Sequence, residues 1–139
     1  GSDRRLRQLL YDLTRLSTYI ESMRARFAVK MNITPPQYNV LMFVAQHQQQ
    51  IGVTVNTVAK HLHVSGAFVT MQVTQLVKKG LLHKRPNPGD RRSIFLMLTE
   101  KGEKAVKAIA PVLRRVNDQL FRSLSRRDFV RISLLVERM

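Results

Sequence analysis

Two short helical patterns and a proline- and glycine-rich reversal follow one another directly in the middle of the chain, and this order constrains the fold most. Thr54 opens the first pattern, which runs to about His61, and Ser65 opens the second, which Gly80 ends. Ser and Thr are favoured helix N-caps, and Gly is favoured just past a helix end. A short helix, a tight turn and a longer helix predict a helix-turn-helix.

The segment Lys84–Ser93 lies between two short apolar runs and predicts the tip of a β-hairpin. Leu81–His83 leads into it and Ile94–Leu98 leads out of it, with Pro88-Gly89 supplying the turn chemistry. Four residues of the segment are cationic. A basic hairpin directly after a helix-turn-helix predicts a winged domain that probes nucleic acid.

Long amphipathic helices are expected on both sides of this domain. Apolar residues from Leu6 to Phe27 recur at three- and four-residue spacing. Such a helix reaches roughly 37 Å, which is longer than a small domain needs, so part of its stripe should pack against another subunit. Thr34 is the predicted N-cap of a second helix, Thr99 that of a fifth and Ser125 that of the last.

These patterns predict a mainly α fold with a small β-hairpin. The expected parts are an N-terminal dimerisation helix over 3–30, a winged helix-turn-helix domain over 34–99 and C-terminal dimerisation helices over 100–139. A chain of 139 residues suffices for one domain with such arms.

The charge balance predicts an anionic partner. Lys and Arg number 24 against 9 Asp and Glu, a net charge of +15. Between Met31 and Arg92 seven basic residues face one acid, a local net of +6. Such a surface favours nucleic acid first and acidic membrane second. No apolar run approaches the length of a membrane span, and a cytoplasmic location is the expectation.

No residue pattern predicts an enzyme, a cofactor or a metal site. The chain has no cysteine, which excludes disulfides and thiolate ligands. His61 and His63 are two residues apart and do not share one helical face. Neither a Ser/His/Asp order, nor paired carboxylates, nor a glycine-rich phosphate loop is present.

The fourth helix is the predicted reader of base sequence. Gln72 and Gln75 suit adenine edges, and Thr70 suits several bases. Phe68 and Met71 suit thymine methyl groups, but apolar residues at helical spacing also suit a core, and the sequence leaves both interpretations open.

Arg91 and Arg92 at the hairpin tip suit the narrow, electronegative minor groove of DNA. Asp90 would repel phosphate, so we expect it to orient an arginine through a charge-assisted hydrogen bond, the alternative being a weak surface ion pair. The residues predicted to contact DNA are Thr54, Lys60, Ser65, Ala67, Phe68, Thr70, Met71, Gln72, Gln75, Lys78, Arg85, Asp90, Arg91 and Arg92.

Taken together, these residues resemble the MarR (multiple antibiotic resistance regulator) family of bacterial transcription factors over nearly the whole chain. Asp90–Arg92 followed by Leu98–Gly102 is similar to that family's wing signature of Asp-x-Arg and then Leu-Thr-x-x-Gly. Leu76–Leu82 resembles the join between recognition helix and wing, and Val58–Leu62 the preceding helix.

The resemblance implies a homodimer in which the first helix and the last two intertwine, each subunit offering one winged domain to a palindromic operator on double-stranded DNA. It makes Arg92 the minor-groove arginine, Asp90 its orienting partner and Ser65–Gln75 the reading surface. The chain departs from the family at Phe68, where Thr is usual, and at Met71, where Arg is common.

The resemblance also implies repression that is relieved by a small aromatic or phenolic ligand bound between the dimer arms and the reading domain. The excess of Arg in the outer helices leaves room for a larger anion, such as an acyl thioester of coenzyme A. Residues expected to line the crevice, or else to be simple core and interface, are Arg15, Tyr19, Met23, Tyr38 and Met42.

Two alternatives from other classes explain the charge. One is a winged-helix protein-interaction module with an acidic partner. The other is a basic amphipathic binder of membrane surfaces that uses the first helix. Neither accounts for Asp90 between the turn and its arginines.

Overall fold

The computed structural model describes all 139 residues and confirms a mainly helical winged-helix fold with a small sheet. Two compact units comprise Gly1–Val106 and Lys107–Met139. None of the helices combines the length and the apolar character that crossing a membrane requires. In chain order the elements are α1 (Ser2–Lys30), α2 (Pro35–His47), β1 (Val53–Thr54), α3 (Val55–Leu62), α4 (Gly66–Lys78), β2 (Leu82–Asn87), β3 (Asp90–Leu98), α5 (Glu100–Leu120) and α6 (Arg126–Glu137).

The core of the first unit lies between α2, α3, α4 and the sheet. Its apolar side chains are closed to solvent, and burying one contributes about 1.5–3 kcal/mol to folding. The largest fully buried side chains are Leu41, Leu76, Leu82, Leu96, Val40, Val44, Val58, Val69 and Val73.

The predicted N-caps are confirmed. The Thr34 hydroxyl accepts a hydrogen bond from the Gln37 amide, and the Gln37 side-chain oxygen accepts one from the Thr34 amide, which closes a capping box. Ser65 caps α4 and Ser125 caps α6 in the same way, each accepting from an amide three residues on. Each cap satisfies a donor that the first helical turn leaves without a partner.

The sheet has three antiparallel strands in the order β1-β3-β2, one more than the sequence predicts. Val53 pairs with Leu96, and Thr54 pairs with Phe95. Strand β1 is two residues long and its partner is distant in the chain, so no local periodicity signals it.

The hairpin prediction is correct in place but wrong in extent. Most of the predicted loop Lys84–Ser93 is strand, because β2 continues to Asn87 and β3 begins at Asp90. Only Pro88 and Gly89 lie outside the strands. Pro86 is tolerated in β2 because this strand is at the edge of the sheet, where a missing N–H costs no ladder bond. We call β2, this turn and β3 the wing.

The join between the wing and α5 explains the Leu-Thr-x-x-Gly pattern. The Thr99 hydroxyl donates to the Gly80 carbonyl and accepts from the Gly102 amide at 3.0 Å, which confirms Thr99 as N-cap. The Thr99 amide donates to the Leu81 carbonyl at 3.0 Å. A Cβ atom at Gly102 would collide with that same carbonyl oxygen. The pattern therefore brings the first turn of α5 close to the end of α4.

Two helices keep apolar stripes exposed. In α1, Leu6, Leu9, Leu10, Leu13 and Leu16 are between 42% and 55% exposed. In the second unit, α6 buries no residue at all. Exposed apolar stripes of this size are typical of surfaces that a partner covers. On α6 the exposed apolar residues are Phe129, Val130, Ile132, Leu134, Leu135 and Val136.

Candidate nucleic-acid interface

Helix α4 has one buried and one exposed face. Val69, Val73 and Leu76 are at most 1% exposed and hold it against the core. Met71 is 64% exposed and Phe68 is 37% exposed, so the interpretation of these two as core residues is wrong. We call the exposed residues of this helix its outer face: Ala67, Phe68, Thr70, Met71, Gln75 and Lys78. Gln72 is half-buried beside them.

Hydrogen bonds within α4 occupy its hydroxyl groups. The Ser65 hydroxyl accepts from the Phe68 amide at 3.0 Å. The Thr70 hydroxyl donates to the Gly66 carbonyl, and the Thr74 hydroxyl donates to the Thr70 carbonyl, each at 2.9 Å. The side chains of α4 whose donors remain free are therefore Gln72, Gln75 and Lys78.

The side-chain oxygens of Asn87 and Asp90 shape the tip of the wing. The Asn87 side-chain oxygen accepts from the Gly89 amide, and the Asp90 carboxylate accepts from the Arg92 amide, each at 2.9 Å. Asp90 thus orients Arg92 through the backbone, whereas we expected a bond to an arginine side chain. The surface ion pair is also wrong, because the ion pairs of this structure join Arg15 to Asp12 and Lys104 to Glu100. The guanidinium groups of Arg91 and Arg92 project from the wing into solvent.

Arg85 braces the wing against the body of the domain. Its guanidinium donates to the Ile51 carbonyl at 2.8 Å and lies 5.9 Å from the centroid of the Phe95 ring. The Gln48 side chain accepts from the Leu98 amide at 2.8 Å and so fastens the other end of β3. Sequence analysis missed both braces, since each joins residues far apart in the chain.

The elements of the site contact one another. Helix α3 packs on α4 and on β3, and α4 packs on β2. Lys60 and Lys78 are exposed at the ends of α3 and α4. Thr54 is half-buried, and its hydroxyl accepts from the Thr57 amide at 3.2 Å, so it serves mainly as the cap of α3. The largely apolar outer face thus lies on a helix whose two neighbours, α3 and the wing, carry exposed cations.

The predicted ligand-lining residues differ in burial. Tyr38 is 4% exposed and stacks on Phe27 with 6.2 Å between ring centroids. Burial raises the pKa of its phenol, against a smaller lowering by Arg24. Tyr38 is therefore a core residue. Arg15 is exposed and contacts Asp12 at 3.4 Å, Tyr19 is 46% exposed, and Met23 and Met42 are half-buried.

Two of the four histidines meet around an aromatic ring. The His47 ring stacks on Phe43 at 4.1 Å, and the His61 ring lies 5.3 Å from the same ring. Each Nδ1 lies 3.0 Å from a backbone carbonyl of its own helix. No group of three or more potential ligands could hold a metal ion.

A helix-turn-helix whose second helix exposes its outer face beside a β-hairpin defines a winged helix-turn-helix protein. Residues 31–93 match the sequence profile of the MarR family. The transcriptional repressor MprA of Escherichia coli (strain K12) is 27% identical over 117 residues, which are 81% of this chain and 66% of that protein. Over its winged-helix part the chain is similar to the MarR family.

A second relative and a solved structure show the same similarity. The organic hydroperoxide resistance transcriptional regulator of Bacillus subtilis (strain 168) is 31% identical over 88 residues, 60% of this chain and 58% of that protein. A crystal structure of an S. aureus MepR–DNA complex is 25% identical, covers 93% of this chain and 91% of that one, and has a TM-score of 0.78. The chain spans about half the length of the first curated relatives it matches.

Proposed function

We propose that this chain is a DNA-binding transcriptional regulator and that it acts as a homodimeric repressor on a palindromic operator. One observation carries the proposal: the outer face of α4 is uncovered, and α4 packs on β2 of the wing, which presents Arg91 and Arg92. The related MepR has been solved with DNA, and the related MprA is named a repressor. These likenesses support the proposal for this chain.

In the proposed complex the N-terminal half of α4 enters the major groove and the wing follows the flanking backbone. Arg92 inserts into the minor groove, while Arg91, Lys60 and Lys78 neutralise phosphates. Because the Asp90 carboxylate accepts a hydrogen bond from the Arg92 amide, it is held against the wing, and the Arg92 guanidinium is free to contact DNA. Arg85, in contrast, mainly holds the wing in place.

The exposed stripes of α1 and α6 support a homodimer, because a second copy would cover them. Two-fold symmetry then requires two similar half-sites, with the two α4 helices about 34 Å apart, one turn of DNA. Light scattering on the purified protein tests this. We expect twice the mass of one chain, and a monomer at micromolar concentration would contradict the proposal.

Relief of repression by a small aromatic acid or its coenzyme A thioester is the finer part of the proposal. The exposed Arg15 and Tyr19 and the half-buried Met23 and Met42 are the candidate contacts. A thermal-shift screen of aromatic acids and their thioesters tests it, since a ligand that binds the folded state raises its melting temperature. Uniformly absent shifts would reject a ligand switch from this chemical class.

Selection from a random duplex library, followed by anisotropy titration of the selected duplex, tests DNA binding. We expect enrichment of an inverted repeat and an affinity that falls steeply between 50 and 200 mM salt, by about 10³-fold or more if six or more phosphates are contacted. A protein that enriches no sequence, or whose binding ignores salt, would overturn the proposed function.

A further inference from the structure

Helix α4 lacks the side chains that read guanine and cytosine, yet exposes large apolar groups. We propose that it selects A·T base pairs, with Met71 and Phe68 packing on thymine C5 methyl groups and Gln75 pairing with adenine. This inference rests on the proposed function and adds the chemical class of base that the site recognises.

The position of Met71 is the first observation. Residues in an α-helix advance by roughly 100° each, so Met71 lies nearly opposite the buried Val69 and Val73. Ala67, one turn earlier, has the same direction and is too small to shield Met71. Met71 is accordingly 64% exposed, against 37% for Phe68.

The charges of α4 are the second observation. Guanine is read most often by a bidentate Arg or Lys on O6 and N7, and cytosine by a carboxylate on N4. From Gly66 to Val77 the helix has no charged residue, and Lys78 is its last residue. The first three turns therefore have no side chain suited to a G·C pair.

The threonine hydroxyl groups of α4 are not free to donate to bases. Thr70 and Thr74 donate to carbonyls of their own helix, and Ser65 accepts from the Phe68 amide, which leaves only its own O–H free to donate. The amides of Gln72 and Gln75 remain as donors at the reading end, and Gln75 is the exposed one. A glutamine amide pairs with N6 and N7 of adenine, whose partner thymine carries the C5 methyl group.

The charge around α4 decides what covers these apolar groups. A protein partner could also pack on Phe68 and Met71, but the elements that α4 contacts carry exposed cations, Lys60 on α3 and Arg91 and Arg92 on the wing, and α4 itself ends at Lys78. An apolar strip on a helix with cationic neighbours is complementary to the major groove, where methyl groups lie between two rows of phosphates. Burying one methyl group on Met71 should strengthen binding about fourfold.

The test replaces each thymine of the selected duplex, one at a time, by deoxyuridine, which removes only the C5 methyl group. We expect at least one position in each half-site where this substitution weakens binding about fourfold, and we expect Met71→Ala to abolish that difference. Val29→Ala is the matched control, because Val29 is 78% exposed on α1 and far from α4 in sequence. This control should retain the full difference between thymine and uracil.

The outcomes separate the inference from the proposed function. Enriched duplexes in which guanines are required at the positions that Met71→Ala affects, or uracil substitutions without effect, would overturn methyl recognition while leaving the function intact. A library that yields no enriched sequence would overturn both. A loss of the thymine preference in Val29→Ala would also count against the inference, because the effect would not arise at α4.

Discussion

The outer face of α4 and the wing, which packs on α4 through β2, differ in chemistry. The first is uncharged except at its last residue, whereas the wing carries four cations between Lys84 and Arg92. Helix α4 is fixed by buried residues from Val69 to Leu76, while the wing is buried only at its base, at Leu82, Leu96 and Leu98, and is exposed or half-buried from His83 to Arg92. In the proposed complex this difference divides the work: we expect α4 to supply sequence preference and the wing to supply most of the electrostatic affinity.

The largest effect should come from the contact between Gly102 of α5 and Leu81, the residue that links α4 to the wing. Gly102→Ala places a methyl group against the Leu81 carbonyl, so we expect a loss of about 1–3 kcal/mol in the free energy of unfolding and weaker binding. Chemical denaturation measures it. Gly66→Ala is the control, because a Cβ atom there meets nothing within 4 Å. Equal destabilisation by both variants would show that the close approach at Gly102 is unimportant.

Arg92→Ala tests the wing alone. The guanidinium makes no ion pair within the chain, so the fold should be unaffected. Binding to the selected duplex should weaken by about 1–3 kcal/mol. Anisotropy titration measures this, with Arg127→Ala on α6 as a control of equal charge change. Full affinity of Arg92→Ala would remove the minor-groove role.

Two substitutions of Ser65 test helix stability and charge at the start of α4 separately. Ser65→Ala removes the cap and should lower the free energy of unfolding by about 1 kcal/mol. Ser65→Asp retains a cap but adds a negative charge, so we expect near-normal stability with weaker DNA binding. Thermal denaturation and anisotropy should therefore rank the two variants in opposite orders, and identical rankings would contradict this account.

Arg85 should behave differently from its neighbours on the wing. Arg85→Ala deletes the bond to the Ile51 carbonyl and should lower the free energy of unfolding by about 0.5–1 kcal/mol. Arg91→Ala, which breaks no bond within the chain, should leave the melting temperature unchanged. If both variants melt like the wild type, Arg85 does not brace the wing.

Much of the local structure could be predicted from the sequence. Thr34, Ser65, Thr99 and Ser125 signal helix starts through their own side chains, so their caps need no knowledge of distant residues. The wing was located because proline, glycine and alternating residues mark a reversal wherever it packs.

Long-range contacts could not be predicted in this way. Strand β1 exists only because β3 lies beside it, and the bond from Arg85 to Ile51 depends on that arrangement. Burial decides whether a large side chain belongs to the core or to a contact surface: Met71 is exposed and Tyr38 is buried, although both were candidates for contact with a partner. Asp90 was assigned the right neighbour but the wrong atom, since the backbone amide competes with the guanidinium.

The salt dependence of binding tests the division of work most directly. The logarithm of the affinity of wild type, Arg91→Ala and Met71→Ala for one selected duplex is measured against the logarithm of the salt concentration. Removing one phosphate contact per subunit should lower the slope of Arg91→Ala by about 0.9 for each subunit, whereas Met71→Ala should bind more weakly with the wild-type slope. Equal changes of slope in the two variants would contradict the account in which α4 supplies base preference and the wing supplies the electrostatic affinity.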